Sequence, residues 1–309
     1  MKFSIIIPTY NSEKYIKSCL ESIFNLNYPQ NDYEIIVVDG GSKDRTLGIL
    51  KDYKVKLVHS KNISISNSRN LAVKQAKGKN LVFIDSDCLA DKGLLNIADK
   101  YLDKYACCGS FYKASKKHGW VAKTWLFIEG KKKGIVDWIP AGTLIVKKKI
   151  FLELNGFDEK LETQEDTDFC YRLARKGYKI YNVPEIASTH IGQTDNLKDF
   201  FKKEIWRGKG LIRGIKDHGF VKEELPSTIL TVYHLFAFVF FIVSLFFIDY
   251  FIISLAAIIL ILPSFLLAIK KIIQTKKIIY LFNFWILTLL YQIARVVSIF
   301  RYNQFKEMF

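Results

Sequence analysis

Asp85 and Asp87 stand one residue apart at the end of the apolar stretch Asn80–Ile84. Two carboxylates so placed can address one cation and the groups around it, and magnesium or manganese is typically held by one or two carboxylates together with substrate phosphates. An acidic triplet alone is weak, because solvated turns carry the same pattern. Its setting strengthens it. The first apolar run leads into Pro8-Thr9-Tyr10-Asn11 rather than a G-x-G-x-x-G turn, and no G-x-x-x-x-G-K-[ST] loop occurs, so neither common phosphate cradle is available and a metal is expected to neutralise bound phosphate. The five cysteines, Cys19, Cys88, Cys107, Cys108 and Cys170, have no C-x-x-C spacing and no histidine at finger-like distance. That pattern points to packed thiols in a reducing compartment, not to a zinc finger or a disulfide framework.

The elements that must position these residues follow from the apolar pattern. Phe3–Ile7 before Pro8, and Glu34–Val38 before Asp39-Gly40-Gly41-Ser42, read as buried parallel strands. Between them Ser12 can cap a helix whose apolar residues Tyr15, Ile16, Leu20 and Ile23 recur at helical spacing. A third strand is expected at Val55–His59, a helix at Ser66–Gln75 and a fourth strand at Asn80–Ile84. Alternation of strand and helix predicts an α/β, doubly wound, mostly parallel sheet covered on both faces. Ligands of such sheets bind outside the carboxyl ends of the strands, which here carry Thr9, Tyr10, Asn11, Asp39, Asp85 and Asp87. Further along, Thr163 can cap a helix carrying Phe169, Leu173 and Ala174, which would make Asp166 the third residue of a capping-box-like start.

Six elements occur in one order: Pro8-Thr9-Tyr10-Asn11; Val38-Asp39-Gly40-Gly41-Ser42 with Asp44 and Thr46; Ser68-Arg69-Asn70; Asp85-Ser86-Asp87; Gly156-Phe157-Asp158-Glu159; and Glu165-Asp166 followed by Arg172-Leu173. In this the chain resembles the family 2 glycosyltransferases, inverting enzymes of the GT-A fold, over roughly Met1 to Leu211. Ser12 before Glu13 is a minor departure, since the family usually carries an acidic residue shortly after the first motif. The resemblance implies that Pro8, Thr9, Tyr10, Asn11, Asp39, Arg69, Asp85 and Arg172 line the donor site. Thr9, Tyr10 and Asp39 would hold the base and ribose, with Arg69 beside the nucleotide and Asp85 on the ribose or sugar. Asp87, with Asp85 and His190, would hold Mn2+ or Mg2+. Asp166, in preference to its neighbour Glu165, would be the catalytic base. Trp138, Gly142 and Thr143 would line the acceptor side.

The residue chemistry suits these roles. A tyrosine face can stack a base, a carboxylate can accept from base or ribose donors, and a guanidinium near a diphosphate makes charge-assisted bonds. Inverting transfer needs a hydroxyl to attack the anomeric carbon opposite the leaving nucleotide, and a carboxylate on that far face can take its proton. Each residue also has a plainer reading: a strand-end core tyrosine, an Asx turn at Asp39, a helix-surface arginine, a satisfied structural histidine.

The chain changes character after about Lys222. Hydrophobic residues make up 50% of its 309 residues although lysine and arginine exceed aspartate and glutamate by 46 to 30, which suggests a membrane protein. Ile229–Ile248, Phe251–Ile269 and Ile278–Phe300 each approach the ~20 residues that cross a hydrocarbon core. The third contains Gln292 and Arg295 and is expected either to span with a polar face or to lie partly in the interface. Lys270, Lys271, Lys276 and Lys277 mark the loop between the second and third runs as cytoplasmic, and Phe3–Ile7 is too short for a signal peptide. A multi-pass protein of the cell membrane with its catalytic part in the cytoplasm is expected. Residues 1–220 would be the catalytic domain and 227–309 the membrane region.

Before the first run, Asn196–His218 interleaves Phe200, Phe201, Trp206 and Ile212 with Lys198, Lys202, Lys203, Arg207 and Lys216. Such a basic amphipathic stretch suits an anionic leaflet. Nucleic acid, the rival partner for so basic a chain, is disfavoured because no recognised binding motif accompanies the charge. The combined expectation is transfer of a sugar from a UDP- or GDP-type nucleoside diphosphate sugar to a lipid-linked acceptor, such as a polyprenyl-linked oligosaccharide or surface glycan. A polyprenyl-phosphate monosaccharide synthase is the competing enzyme. A non-catalytic membrane module or transporter is the competing class, disfavoured because Arg295 is the only charge within the runs.

Overall fold

A computed structural model describes residues 1–60, 64–130, 132–161, 163–218 and 225–301. In chain order the elements begin β1 (Phe3–Thr9), α1 (Ile16–Phe24), β2 (Tyr33–Asp39), α2 (Thr46–Leu50), β3 (Lys56–His59), α3 (Ile65–Gln75), β4 (Asn80–Phe83), β5 (Cys88–Leu89) and α4 (Leu94–Leu102). They continue with β6 (Cys107–Gly109), β7 (Lys113–Ala114), α5 (Trp120–Glu129), β8 (Gly134–Val136), β9 (Leu144–Lys147), α6 (Lys148–Glu153), α7 (Glu165–Arg175), β10 (Ile180–Asn182) and β11 (Thr189–His190). Four long helices follow: α8 (Leu197–His218), α9 (Leu225–Ser244), α10 (Tyr250–Thr275) and α11 (Leu281–Arg301).

Two compact units result. The first comprises Met1–Lys117 and Glu129–Gln193, the second His118–Ile128 and Thr194–Phe309. The division falls before the composition shift near residue 220, so α8, expected with the catalytic domain, belongs to the helical unit, as does α5.

The first unit is an eight-stranded sheet in the order β3-β2-β1-β4-β9-β6-β10-β8. β1 lies near its middle, parallel to both β2 and β4. Its apolar run is continuous because both faces are covered: Ile5 and Ile7 pack with Leu20, Ile23, Leu94 and Leu95 on one side, and Ile6 packs with Val73, Phe83, Phe151 and Phe169 on the other. Pro8 lies beyond the last β1–β4 pair, Ile6 with Phe83, so its missing N–H leaves no gap in that ladder. The second half of the sheet is not parallel throughout. β9 runs antiparallel to both β4 and β6, and β8 antiparallel to β10. A separate three-stranded sheet, β5-β11-β7, stands beside it.

Two expected caps are corrected. Helix α1 starts at Ile16 without a side-chain cap, and the Ser12 hydroxyl instead donates to the Tyr10 carbonyl at 3.2 Å. Helix α7 starts at Glu165 because Gln164, at φ 66°, adopts the left-handed conformation that ends the preceding loop. The buried Thr163 hydroxyl has no hydrogen-bond partner among the described residues, and Asp166 is the second helical residue rather than the third.

In the second unit, Val121 and Trp125 of α5 pack with Phe200 of α8 and Leu287 of α11. Segments Thr228–Phe247, Tyr250–Thr275 and Ile278–Phe300 are long and apolar enough to cross a membrane. The side chains of the basic stretch from residue 209 onward lie outside the described residues.

Candidate active site

Asp87 and His190, 103 positions apart, are brought together by the small sheet. Antiparallel pairing of β11 with β5 sets His190 opposite Cys88, and the Ile191 N–H donates to the Asp87 carbonyl at 2.8 Å. The His190 Nε2 then lies 3.8 Å from Asp87 Oδ2. One ligand atom each from Asp87, Cys88 and His190 falls within 4.8 Å of the others. Gly192 makes this approach feasible: a Cβ there would fall on the Asp87 carboxylate. A carboxylate and an imidazole within one ion's reach fit a divalent cation, and the imidazole favours a transition ion such as manganese over magnesium.

Asp85 takes a different part. Its Oδ1 accepts from Arg69 Nη2 at 2.6 Å and its Oδ2 from the Tyr112 hydroxyl at 2.8 Å. Both oxygens are thus engaged, and Asp85 stands outside the Asp87–Cys88–His190 group, so the expected second carboxylate ligand is tied to a cation of the protein itself. Burial would raise the Asp85 pKa, but the charge of Arg69 and the Tyr112 hydroxyl outweigh it and hold the carboxyl below its ordinary value. Burial and the adjacent Asp85 push the Tyr112 phenol well up, which keeps it a donor. The Tyr112 ring also meets His190 edge-on at 4.9 Å. Space here is tight, since a Cβ on Gly142 would overlap both the Asp85 carboxylate and the Tyr112 hydroxyl.

Arg69 is 2% exposed, no helix-surface charge. Its Nη1 donates to Glu165 Oε1 at 2.5 Å, so one guanidinium joins the end of β4 to the start of α7. Its neighbour Asn70 holds the Gly156–Glu159 loop, donating to the Phe157 carbonyl at 2.8 Å and accepting from the Phe157 N–H at 3.0 Å. Two of the six sequence elements therefore hold each other. Burial, with the charge of Asp166, pushes the Glu165 carboxyl up to about 7 despite Arg69. Asp166 is held by two backbone groups: Oδ2 accepts from the Ala141 N–H at 3.0 Å and Oδ1 from the Thr167 N–H at 2.8 Å.

At the opening of the β1–α1 connection, register places Thr9 beside Asp39. Thr9 is buried with no partner for its hydroxyl among the described residues, and Tyr10 is 45% exposed. Asn11, at φ 47°, accepts from the Lys43 N–H at 2.9 Å. Asp39 forms the Asx turn that its sequence allowed, accepting from the N–H groups of Gly41 and Ser42 at 2.9 and 3.1 Å and from the Ser42 hydroxyl at 2.5 Å. The Ser12 and Ser86 hydroxyls, 2.9 Å apart, link this loop to the acidic triplet.

Arg172 is not brought to this cluster. Its guanidinium binds Asp168 at 2.7 Å and the carbonyls of Leu154 and Gly156 at 2.5 and 2.8 Å, bracing α7 against the loop after α6. Trp138 packs edge-on against Phe111. All five cysteines are buried, and burial pushes the Cys108 and Cys170 thiols up to about 12. Sequence reasoning missed Tyr112, Cys88, Gly192 and the link of Gly142 to Asp85. Cys88 carried a signal in its adjacency to Asp87; Tyr112 carried none.

The family model described as "Glycosyl transferase family 2" matches residues 4–171, and that described as "Glycosyl transferase family group 2" matches residues 138–294. A dolichyl N-acetyl-alpha-D-glucosaminyl phosphate 3-beta-D-2,3-diacetamido-2,3-dideoxy-beta-D-glucuronosyltransferase of Methanococcus voltae is 30% identical over 246 residues, covering 68% of this chain and 73% of the relative. The poly(ribitol-phosphate) beta-N-acetylglucosaminyltransferase TarS of Staphylococcus aureus is 42% identical over 115 residues, 34% of this chain; the match spans only 19% of that enzyme's length. In fold, the chain is similar to the mannosyltransferase PcManGT from Pyrobaculum calidifontis in complex with GDP-Man and Mn2+, with a TM-score of 0.65 at 17% identity over 97% of this chain and 86% of the other. The chain belongs to glycosyl transferase family 2.

Proposed function

We propose that this chain transfers a sugar, with inversion, from a nucleoside diphosphate sugar to a hydroxyl of a lipid-linked acceptor at the cytoplasmic face of a membrane. The observation that carries the reading is Arg69, which joins Asp85 of the acidic triplet to Glu165 beside Asp166. Donor and acceptor chemistry would thus share one rigid frame. Asp87 and His190, with Cys88 beside them, would hold a divalent cation. Bound there, such a cation supplies positive charge to the departing diphosphate.

The side chains of this protein account for the rest. Tyr10, exposed at the end of β1, offers its ring to the base, and Thr9 keeps an unused hydroxyl beside Asp39. Asp166 accepts the acceptor hydroxyl's proton as the new bond to the anomeric carbon forms and the bond to the diphosphate oxygen breaks. Two backbone N–H groups fix its orientation while each oxygen keeps a lone pair. Arg69 shares its single charge between Asp85 and Glu165, which lessens the repulsion of the diphosphate by these carboxyls.

The name of the Methanococcus relative, a transferase acting on a dolichyl-linked sugar phosphate, supports a lipid-linked acceptor, as do the apolar helices. An acceptor anchored in a bilayer makes a tethered enzyme sensible, because tethering confines the search to a surface. The test is sugar release from a radiolabelled donor by purified protein, with and without manganese. Asp87→Ala should lose the metal-dependent transfer. Asp166→Asn should retain donor binding and lose turnover by ~10²–10⁴-fold. Normal turnover in Asp166→Asn removes that residue from the mechanism, and no release from any donor leaves a non-catalytic membrane module.

A further inference from the structure

Helix α11 is long and apolar enough to cross a membrane, yet its neighbours argue that it does not. Phe200 of α8 packs with Leu287, Glu204 accepts from Arg295 Nη2 at 3.1 Å, and a Cβ on Gly208 would meet the Ser298 side chain. These contacts advance in the same direction along both helices, so α8 and α11 run parallel and side by side. The paired stretches, Phe200–Gly208 and Leu287–Ser298, are about 12 and about 16 Å long. On its stretch α8 carries exposed Lys202 together with Lys203, Glu204 and Arg207. Were α11 to span a core of ~30 Å, those charges would be carried into its middle, where each one facing lipid is strongly disfavoured.

Chain length, taken with the parallel run of α8 and α11, gives the same answer. Three successive spans would require α9 and α11 to enter from one side. Because α8 travels with α11, its end would then lie toward the far side, while α9 must begin at the near side. Only six residues separate His218 from Leu225, a reach of about 25 Å at full extension, too short to recross a bilayer. Exposure agrees. The outer half of the α9–α10 hairpin stands bare, with Phe246 82% and Tyr250 85% exposed, whereas the buried Thr231 and His234 lie near the start of α9.

We propose that α8 and α11 lie together along the headgroup region of an anionic leaflet, on the side from which α9 enters, and that only α9 and α10 cross. The exposed Lys198 and Lys202 provide complementary charge, and half-exposed Trp206 is the residue type favoured at that depth. The proposal rests on α9 and α10 spanning, not on the transfer reaction.

Three single-cysteine variants of the full chain, with the five native cysteines changed to serine, test it in sealed vesicles treated with a membrane-impermeant maleimide. Lys17→Cys marks the first unit, Tyr250→Cys the tip of the hairpin and Asn303→Cys the segment after α11. Asn303→Cys should label from the same side as Lys17→Cys, and Tyr250→Cys only from the other. Labelling of Asn303→Cys together with Tyr250→Cys would establish a third span and overturn the proposal, as would labelling of all three from one side. Because labelling does not read activity, neither result is confused with failure of the transferase reading.

Discussion

Arg69 serves two carboxylates with one guanidinium, and the two respond differently. Asp85 is also held by Tyr112 and stays below its ordinary pKa, whereas Glu165, buried beside Asp166, is pushed up to about 7. The folded protein therefore keeps a proton on Glu165 between its ordinary value of 4.5 and about 7, where the unfolded chain releases it. Stability from this source is fully present below 4.5 and is lost as pH rises through 7. Glu165→Gln, neutral at every pH, should flatten that decline by an amount on the order of 1–3 kcal/mol. Thermal unfolding between pH 5 and 8 would check it, and an unchanged slope in the variant would remove Glu165 as the cause. At this scale the sequence was partly legible. The family resemblance singled out Arg69, Asp85, Glu165 and Asp166; Asp85 follows β4 and Glu165 and Asp166 open α7, whereas Arg69 lies inside α3. The resemblance could not distinguish an arginine that touches the nucleotide from one buried between two carboxylates, since that depends on the depth of α3. Arg172 shows the converse: its place in the motif reflects the bracing of α7.

At the scale of elements, the strands read as continuous apolar runs were found close to their expected ends, because burial on both faces leaves an unbroken signal. The two-residue strands β5, β7 and β11 were invisible for the opposite reason. Two residues carry no periodicity, and their pairing joins positions 76 to 102 residues apart. Yet that small sheet is what sets His190 beside Asp87. The direction of β9, which enters antiparallel between β4 and β6, was likewise hidden, since a buried apolar run does not report its direction. Gly192 follows directly from the small sheet's geometry. Its backbone does not need a left-handed conformation, so alanine is tolerated locally, but the added methyl must displace the Asp87 carboxylate. Gly192→Ala should weaken manganese binding by ~10–100-fold, the usual effect of disturbing a ligand's surroundings, while leaving the unfolding temperature within a few degrees. Calorimetric titration with the metal alone measures this. Unchanged affinity would mean that Asp87 is not a ligand.

At the scale of the whole molecule, the excess of 46 basic over 30 acidic residues meets long apolar helices in the second unit, and Glu204 is where the two features have to be reconciled. It is fully buried and accepts from Arg207 at 2.8 Å and from Arg295 at 3.1 Å. The Arg295 guanidinium, on a residue 7% exposed, lies over the Tyr291 ring at 4.7 Å, with its Nε and Nη1 atoms unpartnered among the described residues. One anion thus holds two cations, and the two sides of the cluster are unequal. Removing Glu204 strands a buried guanidinium next to a second positive charge, and breaking a buried pair in this way costs about 3–5 kcal/mol. Removing Arg295 leaves Glu204 still bound to Arg207, and an apolar replacement fills the vacated volume. Glu204→Gln should therefore lower the unfolding temperature in detergent more than Arg295→Met does, and adding Arg295→Met to Glu204→Gln should restore part of the loss, because it removes the stranded charge. Equal damage from the two single variants, with no restoration in the double variant, would show that α8 and α11 are held by their apolar contacts and that the ion cluster adds nothing to their union.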